Sequence, residues 1–150
     1  MTETTDDLLA LESQLCFALA VASRGVIEAY RTELEPLHLT HPQYLVMLAL
    51  WEHESCSLSQ LATLLRLEPA TLSPMVKRLE KLGYVSKRRG AADERTLVVA
   101  LTPEGRALRA DATAVPLAMM AKLQLTDDDV TKLREVTSRL IAATSAARAS

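Results

Sequence analysis

Apolar residues return at helical spacing along most of this chain. Between about Thr5 and Leu37, Leu8, Leu11, Leu15, Leu19, Ala22, Val26, Tyr30, Leu34 and Leu37 recur every three or four positions, which predicts one long amphipathic helix. So long a stripe is more than a small subunit can cover, so part of it is expected to meet a second subunit. His41-Pro42-Gln43 opens a second helix, with the proline in its first turn. Leu45, Leu48 and Trp51 are expected on the buried side of that helix, and Glu54–Ser57 reads as a short connection. A third helix spans about Leu58 to Leu65. A fourth spans about Pro69 to Leu82 and closes at Gly83, with Leu72, Val76 and Leu79 facing the core. Pro74 removes a hydrogen bond to the carbonyl of Ala70, so a bend is expected there.

After Gly83 the period changes from 3.6 to 2. Tyr84–Arg89 and Thr96–Leu101 read as strands joined by the loop Gly90–Arg95. Thr102-Pro103-Glu104 then supplies an N-cap, a first-turn proline and a first-turn acid. This fifth helix is expected to run to about Ala114 or beyond, with Pro116 as a kink point. Thr126-Asp127-Asp128-Asp129 starts a sixth, whose apolar face is Val130, Leu133, Val136 or Thr137, Leu140 and Ile141. The whole predicts a mainly α chain with a small β wing, forming a single domain over 1–150. A winged helix-turn-helix lobe covers about 42–102, and helices at about 5–37 and 103–148 form a dimerisation region.

With 150 residues, 49% of them hydrophobic, the chain can build one core. The net charge of −2 is unevenly spread: residues 57–106 hold 9 Lys/Arg and 5 Asp/Glu, a net of +4, and the remainder a net of −6. A basic middle between acidic ends points to a local surface for a polyanion. In a helix-turn-helix the start of the second helix meets base edges. Here that places Ala70, Thr71 and Ser73 at the bases with Lys77 one turn on. Lys77, Arg78 and Lys81 suit phosphates, and methyls of Ala70 and Thr71 suit thymine. Arg88, Arg89 and Arg95 load the wing with positive charge for a minor groove, and Asp93 is suited to hold the Arg95 guanidinium. The expected partner is an operator in double-stranded DNA.

Other classes find less support. No apolar run exceeds eight residues, so no membrane span is expected, and the acidic start MTETTDDLLA argues against a signal peptide. Two cysteines, Cys16 and Cys56, make no disulfide framework, which suits a reducing cytoplasm. Neither metal-ligand spacing nor a glycine-rich phosphate loop is present, so no metal or cofactor is expected. Cys16 with His38 or His41 is the one nucleophile–base pair on offer, without an orienting acid, so no enzyme is expected.

Leu79-Glu80-Lys81-Leu82-Gly83-Tyr84-Val85, Asp93-Glu94-Arg95 and Leu101-Thr102-Pro103-Glu104-Gly105 resemble the MarR family of winged-helix repressors. The resemblance covers nearly the whole chain and implies a homodimer on a near-palindromic operator. Gln14-Leu15-Cys16-Phe17, Ala22-Ser23-Arg24, Ala29-Tyr30-Arg31 and Leu39 to His53 look like the organic-hydroperoxide-sensing (OhrR-type) members. That implies that Cys16 is the peroxide-reactive thiol, that its oxidation releases DNA, and that Tyr30 supports it. Ala20 and His41 stand where that group carries two further tyrosines, and His41 is the replacement that can still donate. Glu68-Pro69-Ala70-Thr71 likewise stands where Asp-Ser-Gly-Thr is usual. Peroxides react with thiolates, and helix N-termini favour them. If the helix starts at a Ser13 cap, Cys16 lies in its first turn; if it starts at Thr4 or Thr5, Cys16 is in mid-helix. The rival expectation within the family is a repressor released by a small aromatic or lipophilic ligand, without thiol chemistry.

Overall fold

The computed structural model describes residues 8–11, 14–90 and 96–149, and its first long helix, α1, spans Leu15–Leu34. The helix is thus shorter at both ends than the apolar stripe predicts. Gln14 takes the N-cap without a side-chain cap bond. At the other end Pro36 cannot continue the α-helical ladder, so Glu35–Leu37 tightens into a 3₁₀ turn. His38 then reverses the chain in the left-handed region at φ 60°. Leu34, Leu37 and Leu39 are buried where this turn meets the rest of the lobe, whereas Leu15, Phe17 and Leu19 are exposed.

Helix α2 spans His41–His53. Its start is a reciprocal capping box: Gln43 N donates to Thr40 Oγ1 at 3.4 Å and Thr40 N donates to Gln43 Oε1 at 2.9 Å. The buried residues are Gln43, Tyr44, Val46, Met47, Ala49 and Leu50, while Leu48 is 41% exposed and Leu45 and Trp51 are half-buried. The expected buried side was therefore wrong. This helix is apolar nearly all round, so helical spacing cannot say which of its faces the core takes.

The connection after α2 is a strand, β1 (Ser55–Ser57), which the sequence reading missed. A three-residue strand is too short to show alternation. Helix α3 (Leu58–Leu65) follows at once, with a second capping box between Ser57 and Gln60. Arg66 turns the chain at φ 55°, and helix α4 (Pro69–Lys81) begins with its proline at N1. Leu72, Val76 and Leu79 are buried, and α4 continues through the exposed Pro74. Gly83 closes the helix at φ 84°, a backbone conformation that costs glycine little.

Strands β2 (Val85–Arg89) and β3 (Leu97–Leu101) pair antiparallel, with Val85 opposite Leu101 and Arg89 opposite Leu97. β1 pairs with the far edge of β3, Cys56 opposite Val99, giving the order β1-β3-β2. The tip of the wing, including Asp93 and Arg95, lies outside the described residues.

Helix α5 spans Pro103–Ala112, capped by Thr102, whose Oγ1 accepts from Gly105 N at 3.1 Å. The expected long fifth helix is two. Thr113 ends α5, and α6 (Ala114–Leu123) starts afresh with Pro116 in its first turn, where proline is tolerated rather than kinking. Helix α7 (Asp127–Ala149) is capped by Thr126 and Asp129 in a reciprocal pair at 3.0 and 3.1 Å. Hydrogen bonding from the Thr126 amide, and after it from the Thr126 hydroxyl, holds the Asp129 carboxyl below its usual range. The chain falls into two compact units, residues 1–115 and 116–150, and no described helix is long and apolar enough to cross a membrane.

Candidate DNA interface and thiol site

Burying Leu72, Val76 and Leu79 turns the opposite face of α4 outward. Ala70, Thr71, Ser73, Lys77, Arg78 and Lys81 are all exposed on it. The expected base-reading residues thus share one surface with the expected phosphate-binding cations. On β2 Arg88 and Arg89 are exposed. On the same strand the Lys87 Nζ lies 3.5 Å from Glu80. The lobe therefore presents a helix edge and a strand edge of like charge, with Asp93 and Arg95 in the undescribed wing tip.

Four contacts pin the root of the wing. Tyr84 OH donates to Leu37 O at 3.0 Å, joining the start of β2 to the turn after α1. Thr102 Oγ1 donates to Gly83 O, and Trp51 Nε1 donates to Gly105 O at 2.8 Å. Arg106 pairs with Glu54. Gly105 is required by this closeness: a Cβ there would stand 2.0 Å from Tyr84 O. The Leu101–Gly105 motif thus owes its glycine to a backbone approach. Burial pushes the Tyr84 hydroxyl up from its ordinary value, and the Asp111 carboxylate adds to it, so Tyr84 remains a donor.

Cys16 is exposed in the first turn of α1. The helix start at Leu15 puts Cys16 in the first turn, but the N-cap is Gln14, without a side-chain cap bond, and not the expected Ser13. Cys56 is buried on β1, and burial raises its thiol. Tyr30 lies on α1 fourteen residues after Cys16, or ~21 Å along the axis at 1.5 Å per residue. One protomer therefore does not bring Cys16 and Tyr30 together. Tyr30 does meet His41, with ring centroids 4.9 Å apart, so two of the three expected redox residues are neighbours.

The surroundings of Tyr30 hold residues that the sequence reading missed. Tyr44 lies 5.8 Å from Tyr30 and 6.5 Å from Trp51, extending the aromatic chain into the core. The signal was available, since three of the chain's five aromatic residues fall between positions 30 and 51. Beside this cluster opens a groove of about 880 Å³, between the second half of α1 and the turn into α2. Ile27, Glu28, Arg31, Glu35, His38 and His41 are among its lining residues. Arg31 is held by Glu28 at 3.4 Å. Burial lowers His41 from its ordinary value, so the neutral ring is favoured and can donate or accept. Burial, then Tyr30, raises the Tyr44 hydroxyl. Among the described residues no group of three His, Cys, Asp or Glu side chains could hold a metal ion.

Comparison with known proteins places this architecture. The model of the transcriptional regulator SarA/Rot family matches residues 29–111. The organic hydroperoxide resistance transcriptional regulator of Bacillus subtilis (strain 168) is 34% identical over 139 residues, 93% of this chain and 95% of that protein. The HTH-type transcriptional regulator SarZ of Staphylococcus saprophyticus is 32% identical over 131 residues, 87% of this chain and 90% of SarZ. The crystal structure of AbfR of Staphylococcus epidermidis superimposes with a TM-score of 0.76 at 32% identity, covering 99% of this chain and 100% of AbfR. AbfR has also been solved bound to DNA, both reduced and overoxidized, at the same TM-score. With this fold, the exposed α4 face and relatives that match along nearly their whole length, the chain belongs to the SarA/Rot family of transcriptional regulators.

Proposed function

We propose that this regulator is a repressor that binds a near-palindromic duplex operator as a homodimer and leaves it when an organic hydroperoxide oxidises Cys16. The observation that carries the reading is an exposed thiol in the first turn of a long helix, in a chain whose relatives include a hydroperoxide resistance regulator. Ala70, Thr71 and Ser73 meet base edges and Lys77 meets phosphates, while Arg88, Arg89 and Arg95 of the wing bring positive charge to a minor groove, with Asp93 orienting Arg95. The Cys16 thiolate attacks the terminal oxygen of the hydroperoxide. The O–O bond breaks, the sulfur becomes a sulfenic acid, and the alkoxide leaves as the alcohol after taking a proton. The reaction runs once per reductive cycle in a reducing cytoplasm and is not a catalytic turnover. Cys56, buried on β1, is structural. Tyr30, with His41 beside it, serves the thiol of the partner subunit.

The test follows fluorescence anisotropy of operator DNA together with intact mass during addition of cumene hydroperoxide. Wild type and Cys56→Ser are expected to gain one oxygen and release DNA, and Cys16→Ser to stay bound. Wild type that stays bound after Cys16 has gained its oxygen overturns the redox reading. The groove beside Tyr30, about 880 Å³ with apolar and charged walls, supports the second reading, a small aromatic or lipophilic inducer. Such a ligand would release Cys16→Ser and wild type alike, without a change in mass.

A further inference from the structure

An acidic side chain stands exposed at the leading edge of α4. Glu68 is the N-cap of that helix, extended at φ −70° and ψ 142°, and it makes no side-chain hydrogen bond to the first-turn amides. Aspartate at this position ordinarily stabilises a helix by accepting such a bond, whereas glutamate, one methylene longer, is not among the usual caps. Pro69 at N1 has no amide, and Thr71 N and Leu72 N both donate to the Glu68 carbonyl rather than to its carboxylate. The carboxylate is thus exposed at the end of α4 that would enter a groove first.

A fixed negative charge there is unfavourable against phosphates unless a base edge supplies a donor. Major-groove donors are scarce. Cytosine presents N4, with no acceptor beside it on its own edge. Adenine presents N6 with the N7 acceptor next to it, and guanine and thymine present only acceptors on theirs. The adjacent exposed groups are the methyls of Ala70 and Thr71, which can touch a thymine methyl but accept nothing in the case of alanine. Glu68 is therefore the one acceptor-only side chain on this edge.

We propose that Glu68 is a specificity-determining residue of the operator complex, accepting a hydrogen bond from cytosine N4 at one position of each half-site. The proposal rests on the reading of α4 as the recognition helix. Glu68 then acts in two directions. It rewards cytosine, and it penalises guanine or thymine at that position by setting a desolvated carboxylate against an acceptor. It also weakens binding to DNA in general, because its charge opposes the cations behind it.

The test selects binding sites from a pool of random duplexes with reduced wild type, E68Q and E68A, at one fixed salt concentration. Affinities are then measured for the wild-type site, for that site with the cytosine pair changed, and for a shuffled duplex. Wild type is expected to enrich one cytosine per half-site and to lose about tenfold in affinity when it is changed. E68A should lose that preference while binding the shuffled duplex more tightly than wild type does. E68Q should move the preference towards adenine, which offers glutamine both a donor and an acceptor. Thermal melting checks that each variant is folded. Identical site preferences for wild type and E68A overturn the proposal. Failure of the underlying reading looks different: wild type itself would enrich no site and would bind every duplex with the same affinity.

Discussion

Gly105 is where a single residue is held most tightly, because the α5 turn passes the wing root there and a Cβ would stand 2.0 Å from Tyr84 O. Gly105→Ala should force the α5 turn away from Tyr84 O and disturb the carbonyl that Trp51 uses, costing about 1–3 kcal/mol, the usual range for overpacking. A lowered urea midpoint checks this, and an unchanged one would mean that the wing root yields freely. His41 makes a prediction about pH. Burial lowers its folded-state value below the unfolded 6.5, so the unfolded chain binds the proton more readily. The stability that neutral His41 preserves is present above about pH 6.5 and is lost as pH falls through the folded value. His41→Gln should therefore flatten the decline in unfolding midpoint between pH 7.5 and 5. An equal decline in both proteins would assign the acid sensitivity elsewhere.

Whole elements were legible wherever one face alone is apolar. The bounds of α3 and the core face of α4 followed from spacing, because Leu72, Val76 and Leu79 stand against polar neighbours. α2 gave its length but not its face. The start of α1 was hidden because Leu8 and Leu11 continue the helical period before Leu15, although they do not belong to that helix. β1 was hidden because a strand of this length is made by its partner, β3, rather than by its own pattern. The charges on these elements lead to an ordered set of salt effects. Lys77→Ala and Arg88→Ala should each weaken binding about evenly across sequences. Each should also lower the slope of log affinity against log salt by about one. Lys87→Ala should change the slope less, since Glu80 already holds that ammonium at 3.5 Å. Anisotropy titrations at several salt concentrations decide it, and equal slopes for all three variants would detach the helix–strand surface from DNA.

At the scale of the molecule, both ends of the chain leave apolar surface uncovered. Leu15, Phe17 and Leu19 are exposed on α1, and Leu133, Val136 and Ile141 on α7. Each patch by itself suits contact with a second subunit, and an obligate interface ordinarily buries more than about 2,000 Å². Wild type should sediment as a dimer at micromolar concentration. Leu133→Asp with Val136→Asp should give monomers that bind a palindromic duplex far more weakly, since each then engages one half-site. A stable, folded wild-type monomer would contradict the assembly. The candidate site depends on this scale most of all. Cys16 and Tyr30 could be named from the sequence, but the aromatic cluster around Tyr30 and the groove beside it take the folded chain to see, and a meeting of thiol and cluster takes two subunits.

The ~21 Å of helix between Cys16 and Tyr30 gives that dependence a genetic form. A sensor that uses both residues at one point must draw them from different chains. Consider a mixed dimer of one Cys16→Ser subunit and one Tyr30→Phe subunit. One of its two sites keeps both residues, and the other loses both. Two alleles that are each defective alone should therefore complement when co-expressed, restoring part of the hydroperoxide response. Alleles of a sensor whose parts all lay within one chain would leave both sites broken in the mixed dimer and would not complement.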